Sequence, residues 1–104
     1  ETTIPGDGST YPKHGDQLTM HYTGTIAGSS QIFDCSRTRG ESFVFNIGVK
    51  QVIEGWDEGV MQMSLGERAM IRVSSAKGYG SKGCPPVIPP DADLVFDVEL
   101  LKIN

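Results

Sequence analysis

Apolar and polar residues alternate from Gln17 to Ile26, with Leu18, Met20, Tyr22 and Ile26 on one face and Thr19, His21, Thr23 and Thr25 on the other. A period of two in a run rich in β-branched residues predicts a half-buried β-strand. The same alternation recurs at Phe43, Phe45 and Ile47, at Ala69, Ile71 and Val73 within Glu67–Ser74, and at Phe96, Val98 and Leu100 within Leu94–Ile103. Shorter strand signals stand at Ile4 and at Gln31–Asp34, while Ser36–Ser42 reads as an exposed, charged bulge or loop. One stretch breaks the period. Ile53, Trp56, Val60 and Met63 fall at i, i+3, i+7 and i+10, which predicts a helix within Gln51–Met63. Glu54, Asp57, Glu58 and Gln62 take its opposite face, and the acids lie towards its N-terminal end, where the helix dipole favours them. Gly55 and Gly59 each cost about 1 kcal/mol against alanine, so this helix needs a sheet to lie on. Gly66 is expected to close it as a C-cap.

The tally is about five strands and one helix without βαβ alternation. That predicts an α+β fold, an antiparallel sheet with the helix on one face. Ser75–Asp93 holds most of the glycine and proline of the C-terminal half and reads as one long loop; loops of that length in compact domains are usually functional.

Composition changes this picture little. The 104 residues fit one domain, 1–104, and the fractions of 38% hydrophobic and 21% charged residues suggest neither disorder nor a membrane span. A net charge of −4 argues against nucleic-acid or anionic-membrane partners. No signal-peptide pattern is present, and two cysteines, Cys35 and Cys84, read as free thiols of a reducing, cytoplasmic compartment.

The chemistry-bearing motifs are weak one by one. Gly78-Tyr79-Gly80-Ser81-Lys82-Gly83 matches Gly-x-Gly-x-x-Gly, but Cys84-Pro85-Pro86 follows, which forbids the helix a dinucleotide site requires. His14, His21, Cys35 and Cys84 are scattered, form no metal-ligand set and have no partner base, so neither metal, cofactor nor hydrolytic triad is expected. The aromatic residues carry more. Core packing accounts for most of them, but Tyr79 sits in a glycine-rich loop where packing does not require a phenol, and Phe33 is followed at once by Asp34. An apolar pocket with a few polar groups at its rim is the usual form of a small-ligand site.

Taken together, Pro5-Gly6-Asp7-Gly8, His21-Tyr22-Thr23-Gly24, Phe33-Asp34 with Ser36, Val52-Ile53 before Gly55-Trp56, Gly59-Val60, Gly66-Glu67-Arg68-Ala69, Tyr79-Gly80, Ile88-Pro89-Pro90 and Leu94–Leu101 make a pattern. In that order, over nearly the whole chain, it resembles the FK506-binding family of peptidyl-prolyl isomerases, the small immunophilins. The resemblance implies a twisted antiparallel sheet wrapped around one short helix. It also implies isomerisation of Xaa–Pro bonds in a pocket of Tyr22, Phe33, Asp34, Phe43, Val52, Ile53, Trp56, Tyr79, Ile88 and Phe96, with Gln51 and Cys84 as further ligand contacts. Trp56 would be its floor, and Arg39 would lie near the Asp34 carboxylate. Tyr22, Phe33, Asp34, Ile53, Trp56, Tyr79 and Phe96 would carry catalysis, the Ile53 amide and the Tyr79 hydroxyl donating to carbonyls of substrate or drug. The implied ligands are proline-containing peptides and proteins and the macrolides tacrolimus and rapamycin, with calcineurin and TOR kinase as drug-dependent partners.

Two residues depart from the family pattern. Cys84 stands where many relatives carry histidine, and Pro86 where a small residue is common; both bear on drug affinity and on the fit to a drug-dependent partner. The Cys84-Pro85-Pro86 tip also sets Xaa–Pro bonds beside a site for Xaa–Pro, which leaves two readings, a rigidified loop and self-association through Pro85 and Pro86. A second functional reading uses the pocket as a non-catalytic proline-recognition module. Sequence alone does not separate the two.

Overall fold

A computed structural model describes residues 2–28, 31–83 and 88–103, with the side chains of Arg37 and Arg39 outside that description. Six strands form one antiparallel sheet: β1 (Thr2–Ile4), β2 (Gln17–Ile26), β3 (Ile32–Cys35), β4 (Phe43–Asn46), β5 (Arg68–Val73) and β6 (Leu94–Ile103). The order is β1-β5-β6-β2-β3, with β4 also paired to β2. The count is six because two strands share one edge of β2. β4 pairs with Gln17–Met20, and β3 with Thr23–Thr25. Between them, Ser36–Arg39 forms one helical turn, α1.

Thr38, Gly40, Glu41 and Ser42 are exposed, as expected of Ser36–Ser42, but the helical turn and its first residue correct the expectation of a bulge or loop there. Ser36 is fully buried. Its Oγ accepts from the Tyr22 N–H at 2.8 Å and lies 2.8 Å from His21 Nδ1, so the hydroxyl fastens the turn to β2. A serine in a charged run carries no sign of this, because the partner is 14 residues away.

The predicted alternations hold. Leu18, Met20, Tyr22, Phe45, Ala69, Val73, Phe96, Val98 and Leu100 are all buried and form one core with Trp56, Val60 and Met63 from the helical segment. The helix itself is shorter than the pattern: α2 spans Glu54–Gly59 and continues as a 3₁₀ turn, Val60–Gln62. Ile53 precedes it at ψ 150° with no side-chain cap, and Met63 ends it in extended backbone. Gly66 therefore is not the helix cap. It stands beyond Met63 at φ 87°, in the turn that leads into β5, and donates to the Leu100 carbonyl at 2.9 Å.

The two helix glycines have a packing reason. A Cβ on Gly55 would lie 2.6 Å from Val73 Cγ1, and one on Gly59 would lie 3.2 Å from Ile71 Cδ1. Their absence lets α2 settle onto β5, and the burial of Trp56 and Val60 that follows offsets the propensity lost. The Ser75–Asp93 loop opens with a 3₁₀ turn (Ser75–Lys77) and is tied at its ends by the Ser75 N–H, which donates to Asp93 Oδ1 at 2.9 Å. Among the described residues, no helix is long and apolar enough to cross a membrane.

Candidate functional site

The wall of the site begins at a missing side chain. Gly24 lies on the inward face of β2, flanked by Phe96 of β6 on one side and Asp34 of β3 on the other. A Cβ there would lie 2.6 Å from Phe33 Cζ, so the gap in the alternating pattern is the space that receives the Phe33 ring. Phe33 then meets Phe96 edge to face, with ring centroids 5.7 Å apart. The sheet face and α2 together enclose a cavity of about 420 Å³, lined by Tyr22, Phe33, Asp34, Phe43, Lys50, Gln51, Val52, Ile53, Trp56, Tyr79 and Phe96.

Trp56 closes the bottom of this cavity. Only 4% of it is exposed, and Tyr22, Phe96 and Phe43 pack against it edge to face at 5.0, 5.2 and 5.8 Å. Packing holds the ring, and Nε1 is buried without a hydrogen-bond partner among the described residues. Such an orphan donor costs about 1–3 kcal/mol, an exception that calls for a reason and that recurs at functional sites.

The polar groups stand above the aromatic ones. The Tyr22 hydroxyl donates to Asp34 Oδ2, a pairing that no sequence spacing announces, since it depends on how β3 registers against β2. The Ile53 carbonyl accepts from the Trp56 and Asp57 N–H groups, whereas the Ile53 N–H has no acceptor among the described residues. Tyr79 stands 39% exposed at the rim.

On the entry side, the Asp57 carboxylate accepts from the Gly48 N–H at 2.9 Å and from the Lys50 N–H at 3.2 Å. These bonds hold the 48–50 turn, where Gly48 has φ 79° and Lys50, unusually for a residue with a side chain, φ 63°.

Of the expected site residues, the structure brings Tyr22, Phe33, Asp34, Phe43, Gln51, Val52, Ile53, Trp56, Tyr79 and Phe96 into this one cavity. Ile88 is elsewhere. It is 4% exposed and packed in the core rather than on the cavity lining. Arg39 lies on α1, but its side chain is outside the described residues, as is Cys84 together with Pro85 and Pro86. Lys50 was missed, and only its place directly before Gln51 could have drawn notice.

Comparison with known proteins agrees with this geometry. Residues 8–101 match the family model described as FKBP-type peptidyl-prolyl cis-trans isomerase. The chain is 60% identical over 100 residues to FK506-binding protein 1 of Yarrowia lipolytica, covering 96% of this chain and 92% of that one. It is 58% identical over 104 residues to FK506-binding protein 1 of Rhizopus delemar, covering 100% and 95%. To the peptidyl-prolyl cis-trans isomerase Fkbp12 of Drosophila melanogaster it is 57% identical, covering 96% and 92%. With a sheet, a short helix and an aromatic cavity arranged as the residues dictate, and a family match over most of its length, the chain belongs to the FKBP-type peptidyl-prolyl cis-trans isomerases.

Proposed function

We propose that this isomerase rotates Xaa–Pro bonds inside the Trp56 cavity and that tacrolimus and rapamycin occupy the same space. The observation that supports this is the convergence of Tyr22, Phe33, Phe43, Trp56 and Phe96, from five separate elements, on one cavity that also carries the Ile53 N–H, which has no acceptor among the described residues. Rotation of an amide breaks its resonance against a barrier of roughly 18–20 kcal/mol, and no proton or electron pair has to pass to the protein. A planar amide is strongly dipolar, and at the perpendicular transition state that charge separation collapses. A dry aromatic cavity therefore disfavours the planar state more than the twisted one, which is the differential binding that catalysis requires. The Ile53 amide and the Tyr79 hydroxyl hold the flanking chain while the proline ring sits on Trp56. Lowering the barrier by about 5–7 kcal/mol corresponds to a roughly 10⁴–10⁵-fold acceleration.

Asp34 belongs to this reading as the acceptor that orients the Tyr22 hydroxyl at the cavity wall. The same proposal treats 1–104 as one isomerase domain of cytoplasmic type. It includes drug-dependent docking to calcineurin and TOR kinase, and self-association through Pro85 and Pro86, which lie outside the described residues.

The test is isomerisation of a short Leu-Pro or Phe-Pro peptide followed by NMR exchange, with and without rapamycin. Catalysis abolished by stoichiometric drug is the expected result. Catalysis that persists in saturating drug would move the chemistry away from Trp56, and tight drug binding without catalysis would leave a proline-recognition module. Asp34→Val and Phe33→Tyr separate the two further, since catalysis should fall more than ligand affinity, whereas Trp56→Leu should lose both.

A further inference from the structure

One wall of the cavity runs through four consecutive residues, Lys50 to Ile53, and its first two are polar. Lys50 does not stand there by the drift of a loose loop. Its φ of 63° lies in the left-handed region, a conformation that costs on the order of 1 kcal/mol or more for a residue with a side chain. The two bonds from Asp57 to the Gly48 and Lys50 N–H groups hold it in place. Among the described residues the Lys50 ammonium makes neither an ion pair nor a hydrogen bond. The ion pairs found there, Arg68 with Asp97 and Lys77 with Glu58, use other cations, and both Asp57 oxygens are engaged by the turn.

Gln51 extends the same character. Its Oε1 accepts from the Asn46 N–H at 2.8 Å, which fixes the amide and leaves its NH₂ half as a donor without an acceptor among the described residues. Among the described residues of the cavity lining the only carboxylate is Asp34, which already receives the Tyr22 hydroxyl. A wall that offers a cation beside an amide donor suits an anion on the bound chain.

We propose that Lys50, assisted by Gln51, is a specificity-determining residue that makes this isomerase favour Xaa–Pro sites flanked by an aspartate or glutamate. The inference rests on the reading of the Trp56 cavity as the site of isomerisation. The reach follows from size. A sphere of 420 Å³ is about 9 Å across, and an extended chain covers about 3.3 Å per residue. The acid therefore falls within two or three residues of the proline.

The test compares kcat/KM for matched Phe-Pro peptides carrying glutamate or glutamine two residues before, or two residues after, the proline. The glutamate-to-glutamine ratio is read within each enzyme, so a general loss of activity cancels. In at least one frame the wild-type ratio should be about two to five, the size of an exposed ion pair's contribution, and it should approach one near 1 M salt, where the screening length is about 3 Å. Lys50→Gln should bring the ratio to about one and Lys50→Glu below one, whereas Lys102→Gln, on β6 and outside the cavity lining, should leave it unchanged. A wild-type ratio of one in both frames, or a ratio that ignores Lys50→Glu or falls equally in Lys102→Gln, would overturn the role of Lys50 while neutral peptides still turn over. Failure of rapamycin to stop turnover of the glutamine peptides, or no turnover at all, would instead overturn the cavity reading and this inference with it.

Discussion

Gly24→Ala puts the link between sheet register and site geometry to its sharpest test. The new Cβ would lie 2.6 Å from Phe33 Cζ and 3.0 Å from Cε1 and Cε2, where ordinary contact begins at 3.4 Å. The ring must retreat by roughly 1 Å, and overpacking of this kind costs about 1–3 kcal/mol. Two terms reduce that. Gly24 carries no positive φ, so alanine fits its backbone and stabilises through the unfolded state by about 0.4–1 kcal/mol. Phe33 is also only partly buried and borders the cavity, so its ring has space to move into. The net cost should be about 1 kcal/mol, lowering Tm by about 4–8 °C in a domain of this size. Activity should suffer far more, because a displacement near 1 Å in a positioning wall costs up to about 10²-fold. We expect kcat/KM for a Leu-Pro peptide to fall ten- to a hundredfold while circular dichroism shows a folded protein at assay temperature. In a Phe33→Leu background the same alanine should have little further effect, since contacting residues couple. Wild-type kcat/KM in Gly24→Ala, or full additivity in the double variant, would refute the account of what this glycine is for.

Three further substitutions probe separate parts of the molecule. Gly55→Ala places a Cβ 2.6 Å from Val73 Cγ1 between two packed elements, so despite alanine's better helix propensity urea unfolding should show a loss of about 1–3 kcal/mol, partly recovered by Val73→Ala. Tyr22→Phe removes the donor to Asp34, and a hydrogen bond to a charged group is worth about 1.5–3 kcal/mol; both unfolding free energy and kcat/KM should fall, and an unchanged pair of values would show the contact to be idle. The Asp7 carboxyl is held below its ordinary 3.8 by the Thr10 side chain and by the Thr10 and Ser9 N–H groups. A depressed folded-state pKa contributes stability above the ordinary value and loses it as pH falls through the depressed one. The gap between wild type and Asp7→Asn should thus be full near pH 6 and close as pH falls below about 4.

Much of this site was readable from the chain, for a physical reason. Tyr22, Phe96 and Trp56 sit in strong periodic patterns, where the period itself names the inward face, and the bounds of β2 and β6 came out as Gln17–Ile26 and Leu94–Ile103. The residues that escaped depend on tertiary distance. Ser36 is buried only because β2 passes over α1, and the Tyr22–Asp34 bond exists only in the observed β2–β3 register. Gly55 looked like a propensity cost until Val73 was seen beside it. Gly66 was misplaced for a simpler reason: a glycine at positive φ marks a turn, but not which turn. Lys50 carries no periodic signal at all, because its placement comes from Asp57 seven residues on.

The position of β6 has a consequence for how the protein comes into being. It is the last of the described strands in sequence order and yet lies inside the sheet, between β5 and β2. Until Leu94–Ile103 has been synthesised, β5 and β2 have no partner between them, and each presents a bare row of backbone donors and acceptors. Phe96, on that same strand, supplies one wall of the cavity. The sheet therefore cannot close before β6 has been made, and a product truncated before Leu94 would lack the strand between β5 and β2 together with the Phe96 wall. Joining segments so distant along the chain is also slow, in the millisecond-to-second range for sheet topologies.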